Sequence, residues 1–255
     1  MSIVTPQTSW PELGAGLGAC VVMSTVMMVT GIAGPISVLG ILVYLAGAAL
    51  IAVHWRSRRL GAANQVTLLR LVGTSMVAGL LIGQVLHGSL TPVTIVMVVI
   101  ASVCLILDGV DGHLARSRGL VSAFGARFDM ETDAVLLMVL SIAVPVFGVA
   151  GWWVLAIGLM RYVYVLASFA LRWLQIPLPF SMARKVVAVI QGIALLLALT
   201  LSVLPLPDWA ATPPLVIALA SLCWSFGRDI VWQWRRRNSS FGQPDPTLRR
   251  RRPTT

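Results

Sequence analysis

The sequence predicts an all-α fold, a polytopic transmembrane helical bundle of about eight spans, and three observations predict it. Apolar residues make up 58% of the 255-residue chain and charged residues only 11%, where soluble domains carry roughly a quarter charged residues. Apolar runs recur at about the twenty-residue length that a helix needs to cross the hydrocarbon core. Lys and Arg then fall on one side of the loops that those runs define. The 9 Trp and 14 Pro suit interfacial anchors and helix ends.

Spans are expected at approximately 13–33, 36–54, 66–87, 93–115, 126–149, 151–173, 186–204 and 213–234. Pro35, the Gly88 to Pro92 segment, Gly148 to Gly151 and the Pro205 to Pro214 stretch punctuate them. The polar start, Met1 to Glu12, lacks the basic region of a secretory signal and no cleavage site follows. The first run is therefore expected to be retained as a span. The polar segment Trp55 to Gln65, between spans two and three, is expected along the cytoplasmic interface. Two of the spans fall within residues 1–61 and six within 62–234, and 235–255 are expected as a basic, disordered cytoplasmic tail.

Charge placement supports an even number of spans. Arg56, Arg58, Arg59 and Arg70 flank the junction of spans two and three; Arg116, Arg118 and Arg127 lie between four and five. Arg172, Arg184 and Lys185 lie between six and seven, and Arg228 with Arg235 to Arg237 closes span eight. Only Arg161 lies deep within a span, and the opposite loops carry no Lys or Arg. The positive-inside rule then puts both termini in the cytoplasm. The net charge of +10 reads as this bias rather than as nucleic-acid binding. The Arg249 to Arg252 run serves the same topology or meets anionic head groups. Cys20, Cys104 and Cys223 all sit in apolar runs without metal-ligand spacing.

Of nine acidic residues, five fall between Asp108 and Asp133. Asp108 and Asp111 are three apart and share a helix face; Asp129 and Asp133, four apart, share another. The short connection between spans four and five lets the two pairs converge. Four carboxylates at one membrane depth repel unless cations neutralise them, and hard divalent ions with oxygen ligands do so. Gly109, Gly112 and Ala115 remove bulk beside the aspartates, and Gly125 allows close helix packing. Arg116 and Arg118 stand ready for phosphate oxygens.

Residues 108 to 133 read DGVDGHLARSRGLVSAFGARFDMETD. They match Asp-x2-Asp-Gly-x2-Ala-Arg-x8-Gly-x3-Asp-x3-Asp without a departure, which resembles the signature of the CDP-alcohol phosphotransferase (CDP-alcohol phosphatidyltransferase) family. Eight specified positions make a chance match on the order of 10⁻¹⁰ per starting point. The resemblance implies a six-helix core, spans three to eight, to which spans one and two are an addition. It implies that Asp108, Asp111 and Asp129 bind Mg²⁺ or Mn²⁺, two ions in all, and that Asp133 joins them and acts as general base. Gly112, Ala115, Arg116 and Gly125 would border the CDP portion of the donor. Upstream, Asn64, Thr67 and Arg70 in ANQVTLLR resemble the family's nucleotide-facing approach to its first core helix; Asn64 and Thr67 could equally cap that helix.

The implied reaction joins a CDP-lipid such as CDP-diacylglycerol to an alcohol acceptor and releases CMP. The acceptor is open at this point. Arg161, with Arg118, Arg127, Arg184 and Lys185, could bind a phosphorylated polyol such as glycerol 3-phosphate or inositol phosphate; serine or choline remain alternatives. Arg161 could instead pair with an active-site aspartate or Asp229, and Arg184 and Lys185 could simply serve topology. A homodimer in a bacterial inner (cell) membrane with a cytoplasmic active site is expected. A cation- or proton-coupled transporter would spread its acidic residues through the membrane's depth, and a scaffold needs no clustered aspartates.

Overall fold

The computed structural model describes residues 10–31, 38–54, 62–87, 91–117, 123–179 and 181–237. Among them are eight α-helices and no strand: α1 (Trp10–Val29), α2 (Val38–His54), α3 (Ala62–His87), α4 (Thr91–Ser117), α5 (Ala123–Val146), α6 (Leu155–Ala170), α7 (Met182–Leu201) and α8 (Thr212–Arg237). Short 3₁₀ turns at Trp152–Val154, Arg172–Gln175 and Asp208–Ala211 join the later helices. The seven residues at 55–61, Arg118 and the tail after Arg237 lie outside the described residues.

Six of the helices are long and apolar enough to cross a membrane, so the chain is an integral membrane protein. The other two fall short for different reasons. The apolar stretch of α2 is confined to Gly40–Ala49, and the first turns of α5 carry Arg127, Asp129, Glu131 and Asp133. Helix α6 is shorter than the sequence suggests. At Leu171 the backbone leaves the helical region (φ −115°, ψ 86°) and a 3₁₀ turn follows. Helix α5 stops at a left-handed Gly148 (φ 73°). There the Gly148 and Val149 amides donate to the carbonyls of Pro145 and Val144, satisfying the last turn in the Schellman pattern.

Helix α3 is the hub: it packs against α1, α2, α4 and α5. Close approaches explain why. A Cβ at Gly40 of α2 would come 2.5 Å from the Ser75 carbonyl oxygen of α3, and one at Gly47 would meet the Leu71 side chain at 2.8 Å. Likewise Gly73 of α3 lies against the Cys104 sulfur of α4. Small residues at these crossings let backbones approach where lipid supplies no hydrophobic drive between helices. On α1 and α2 the Tyr44 hydroxyl donates to the Leu13 carbonyl at 2.7 Å, so the hairpin is pinned by a buried hydrogen bond.

Candidate active site

The fold brings the first three turns of α3, the end of α4 and the start of α5 to one place. On α3, Asn64, Thr67 and Arg70 follow at three-residue spacing and share a buried face. The helix begins at Ala62, so Thr67 lies in its second turn and is not a cap, and Asn64 lies inside the first turn.

Arg70 is 1% exposed and is held by three carboxylates. Its Nη1 lies 2.5 Å from Asp129 Oδ1 and 3.0 Å from Asp108 Oδ1, and its Nη2 donates to Asp133 Oδ1. Its Nε donates to the Cys104 carbonyl at 3.2 Å, and the Cys104 thiol points back at the Arg70 carbonyl at 3.7 Å. Cys104 sits one turn before Asp108 on α4, so backbone and side chain of the same helix face grip the guanidinium. The sequence showed the aspartates but not this arginine at their centre.

Asp108, Asp129 and Asp133 offer carboxylate oxygens that all lie within 4.8 Å of one another. Clustered hard oxygen donors fit a divalent cation of the Mg²⁺ or Mn²⁺ class. Asp111, Gly112, Ala115 and Arg116 belong to α4, but their side-chain positions, like all of Arg118, lie outside the described residues. Gly125 stands in the first turn of α5, half-buried.

The three aspartates line one end of a cavity of about 660 Å³ between α4, α5 and α7. Lys185 shares that end, and apart from Ser102 the remaining wall is apolar, including Ile106, Leu137, Val189, Ile193 and Leu196. Ile106, Val189 and Ile193 are themselves exposed, so the cavity opens to the outside of the bundle along its apolar wall. Arg70 lies behind the aspartates and does not line this cavity.

The remaining basic residues are dispersed. Arg161 on α6 pairs with Glu131 of α5 at 2.5 Å. Glu131 was missed in the sequence because it lies two residues from each of Asp129 and Asp133, on the other side of the helix. Arg184 on α7 reaches Asp229 of α8 at 3.1 Å and donates to the Pro179 carbonyl. Arg228 also meets Asp229, at 3.0 Å. Arg127 is exposed on α5. Of the five basic residues proposed for an acceptor, the structure brings Lys185 to the aspartate cavity.

The family model for CDP-alcohol phosphatidyltransferase matches residues 60–224, which spans α3 to α7 and the first half of α8. The chain belongs to the CDP-alcohol phosphatidyltransferase family. No curated protein and no solved structure matches it. Membership makes this a transferase of the phosphotransferase type, working on a CDP-alcohol donor and an alcohol acceptor in a membrane. The family generally depends on a divalent metal, and the carboxylate cluster is chemically suited to one. Helices α1 and α2 precede the matched region.

Proposed function

We propose that this phosphatidyltransferase moves a phosphatidyl-type group from a CDP-lipid, CDP-diacylglycerol first among them, to a hydroxyl acceptor. The observation that carries the reading is the two-ended cavity: carboxylates and Lys185 at one end, an apolar wall open towards lipid along the rest. A donor with a charged diphosphate and long acyl chains matches both ends, whereas a fully soluble CDP-alcohol would leave the apolar wall unused.

In this reading the acceptor oxygen attacks the lipid-bearing β-phosphorus. A new P–O bond forms, the diphosphate bridge breaks, CMP leaves with the bridging oxygen, and the acceptor proton passes to Asp133. Asp108, Asp111, Asp129 and Asp133 would hold Mg²⁺ or Mn²⁺, two ions, which supply charge neutralisation at the diphosphate. Asp133 is taken as the proton acceptor, a reading supported by its position one turn deeper along α5 than Asp129 and in the cavity lining. Asn64, Thr67, Gly112, Ala115, Arg116 and Gly125 would border the CDP portion. Lys185 favours an anionic acceptor, a phosphorylated polyol such as glycerol 3-phosphate or inositol phosphate, over serine. Positioning and charge stabilisation carry most of such a reaction.

All eight helices are read as spans of a bacterial inner membrane, with both termini and the aspartate site cytoplasmic, and the enzyme as a homodimer. A cysteine placed at Asp208 should then be labelled only from outside. The reaction is tested by incubating purified protein with CDP-diacylglycerol, Mg²⁺ and a panel of acceptors, and measuring CMP. Release that depends on glycerol 3-phosphate or inositol phosphate supports the reading; release dependent on serine alone replaces the acceptor. No CMP release with any acceptor removes the proposed donor.

A further inference from the structure

We infer that Arg70 is a built-in counter-cation that holds the aspartate cluster together when no divalent ion is bound, and that it opposes that ion electrostatically rather than binding the donor. The inference rests on the metal reading above and gives Arg70 a different role from the nucleotide contact that its sequence position suggests.

Four observations support it. Arg70 is 1% exposed, so its charge acts inside the protein and not on the cavity surface. Its guanidinium meets one oxygen from each of Asp108, Asp129 and Asp133, the same three residues whose oxygens cluster tightly enough to ligate a metal. Its Nε is tied to the Cys104 carbonyl, so the group is anchored to α4 by a bond that does not depend on the carboxylates. Finally, Gly73, one turn along α3 from Arg70, lies against the Cys104 sulfur, so α3 and α4 are closely packed beside the guanidinium.

The electrostatics follow. Three carboxylates against one guanidinium leave two negative charges in this described group, where three would otherwise stand together. The guanidinium is buried while the three carboxylates are each about a third exposed. Converged like charges repel even when partly screened, and removing the buried cation between them is destabilising. Arg70 therefore lets the site fold with its carboxylates already converged. A divalent cation drawn to the same oxygens then feels the guanidinium a few ångströms away. The two cations do the same work and compete for it. Loss of Arg70 should therefore weaken the metal-free protein while strengthening its hold on metal, the reverse of what a metal ligand or a donor ligand would show.

The test uses the full-length chain in detergent at mildly alkaline pH, with Mn²⁺ as the probe. Melting temperature is measured in EDTA and in Mn²⁺, and Mn²⁺ affinity by electron paramagnetic resonance. Arg70→Met should melt below wild type in EDTA and bind Mn²⁺ roughly tenfold or more tightly. Its Mn²⁺-induced rise in Tm should exceed the wild-type rise by roughly 3–6 °C. Arg70→Lys, which keeps the charge, should lie between the two. If Arg70→Met is not recovered folded, the double variant Arg70→Met/Asp133→Asn decides. Removing one anion with the cation should restore a protein stable in EDTA, and failure to improve on Arg70→Met overturns the inference.

Unchanged or weaker Mn²⁺ binding in Arg70→Met overturns it as well. So does loss of CDP binding at saturating Mn²⁺ with Mn²⁺ affinity unaltered, which would make Arg70 a donor ligand. Wild-type protein that releases CMP but binds no Mn²⁺ refutes the metal reading itself, and this inference with it.

Discussion

Helices α3 and α6 have similar hydropathy yet opposite fates. The most apolar 18-residue window within Asn64–Leu86 has a mean hydropathy of 1.8 and is 83% buried; the corresponding window within Trp152–Ala170 has 1.6 and is 17% buried. Average hydropathy therefore says that both cross the membrane and nothing about which is central. What separates them is the kind of residue they carry. Helix α3 combines Asn64, Thr67, Arg70, Thr74, Ser75 and Gln84, all buried, with small residues that invite neighbours close. Helix α6 presents Val163, Leu166 and Phe169 outwards, with Leu166 71% and Phe169 74% exposed. In a bilayer apolar surface can face lipid at no cost, whereas polar groups need partners. The polar helix is driven inwards, an inversion of the rule for soluble proteins.

Four substitutions sharpen this contrast, and the largest effect is expected where α5 meets α3. Asp133→Asn removes the proposed base and one of Arg70's partners; turnover should fall about 10²–10⁴-fold from lost base catalysis alone. Next in size is the α2–α3 crossing. Gly40→Val drives a side chain into the Ser75 carbonyl, which is backbone and cannot yield. Overpacking of this kind costs about 1–3 kcal/mol, visible as a lower Tm, with activity lost in step with the folded fraction.

Helix α6 should respond less. Arg161→Ala breaks a half-exposed pair with Glu131 that contributes at most about 1 kcal/mol. The kinetic outcome separates its two roles. If Arg161 meets the acceptor's phosphate, acceptor KM rises far more than donor KM, and Glu131→Gln does not reproduce the effect. Equal effects from Arg161→Ala and Glu131→Gln make it a structural pair. Smallest of all is Phe169→Leu on the exposed face, which should leave Tm and turnover within error of wild type; a marked loss would mean that this face is covered, as the proposed homodimer could do.

Much of this was legible in the sequence, and for identifiable reasons. The six long apolar helices followed from apolar runs, and the convergence of Asp108 with Asp129 and Asp133 followed from helical spacing plus a short connection. The centrality of Arg70 was not legible, because it depends on α3 lying against both α4 and α5, partners 34 to 63 residues away. Arg161 illustrates the same limit: a lone charge in a span announces that a partner exists, but Glu131 is identified only once α5 and α6 are packed. Gln233 gave no signal at all. It is 1% exposed near the end of α8, where its amide donates to the carbonyls of Leu174 and Ile176 and accepts from Tyr164. Such a residue satisfies irregular backbone that the sequence did not place. The hairpin of α1 and α2 had a faint signal in Gly40 and Gly47, two turns apart on one face, whose meaning appears only against α3.

The central claim is that the aspartate cavity transfers a phosphatidyl-type group, with the four aspartates dividing the labour. The most direct measurement pairs CMP release from CDP-diacylglycerol with Mg²⁺-dependent donor binding, for wild type, Asp108→Asn and Asp133→Asn. Wild type should release CMP in the presence of acceptor. Asp108→Asn should lose both donor binding and release, and Asp133→Asn should lose release while keeping much of its Mg²⁺-dependent donor binding. Turnover by Asp133→Asn near the wild-type rate would contradict the assignment of the base. Full CMP release by Asp108→Asn, with donor binding unaffected, would contradict the site itself.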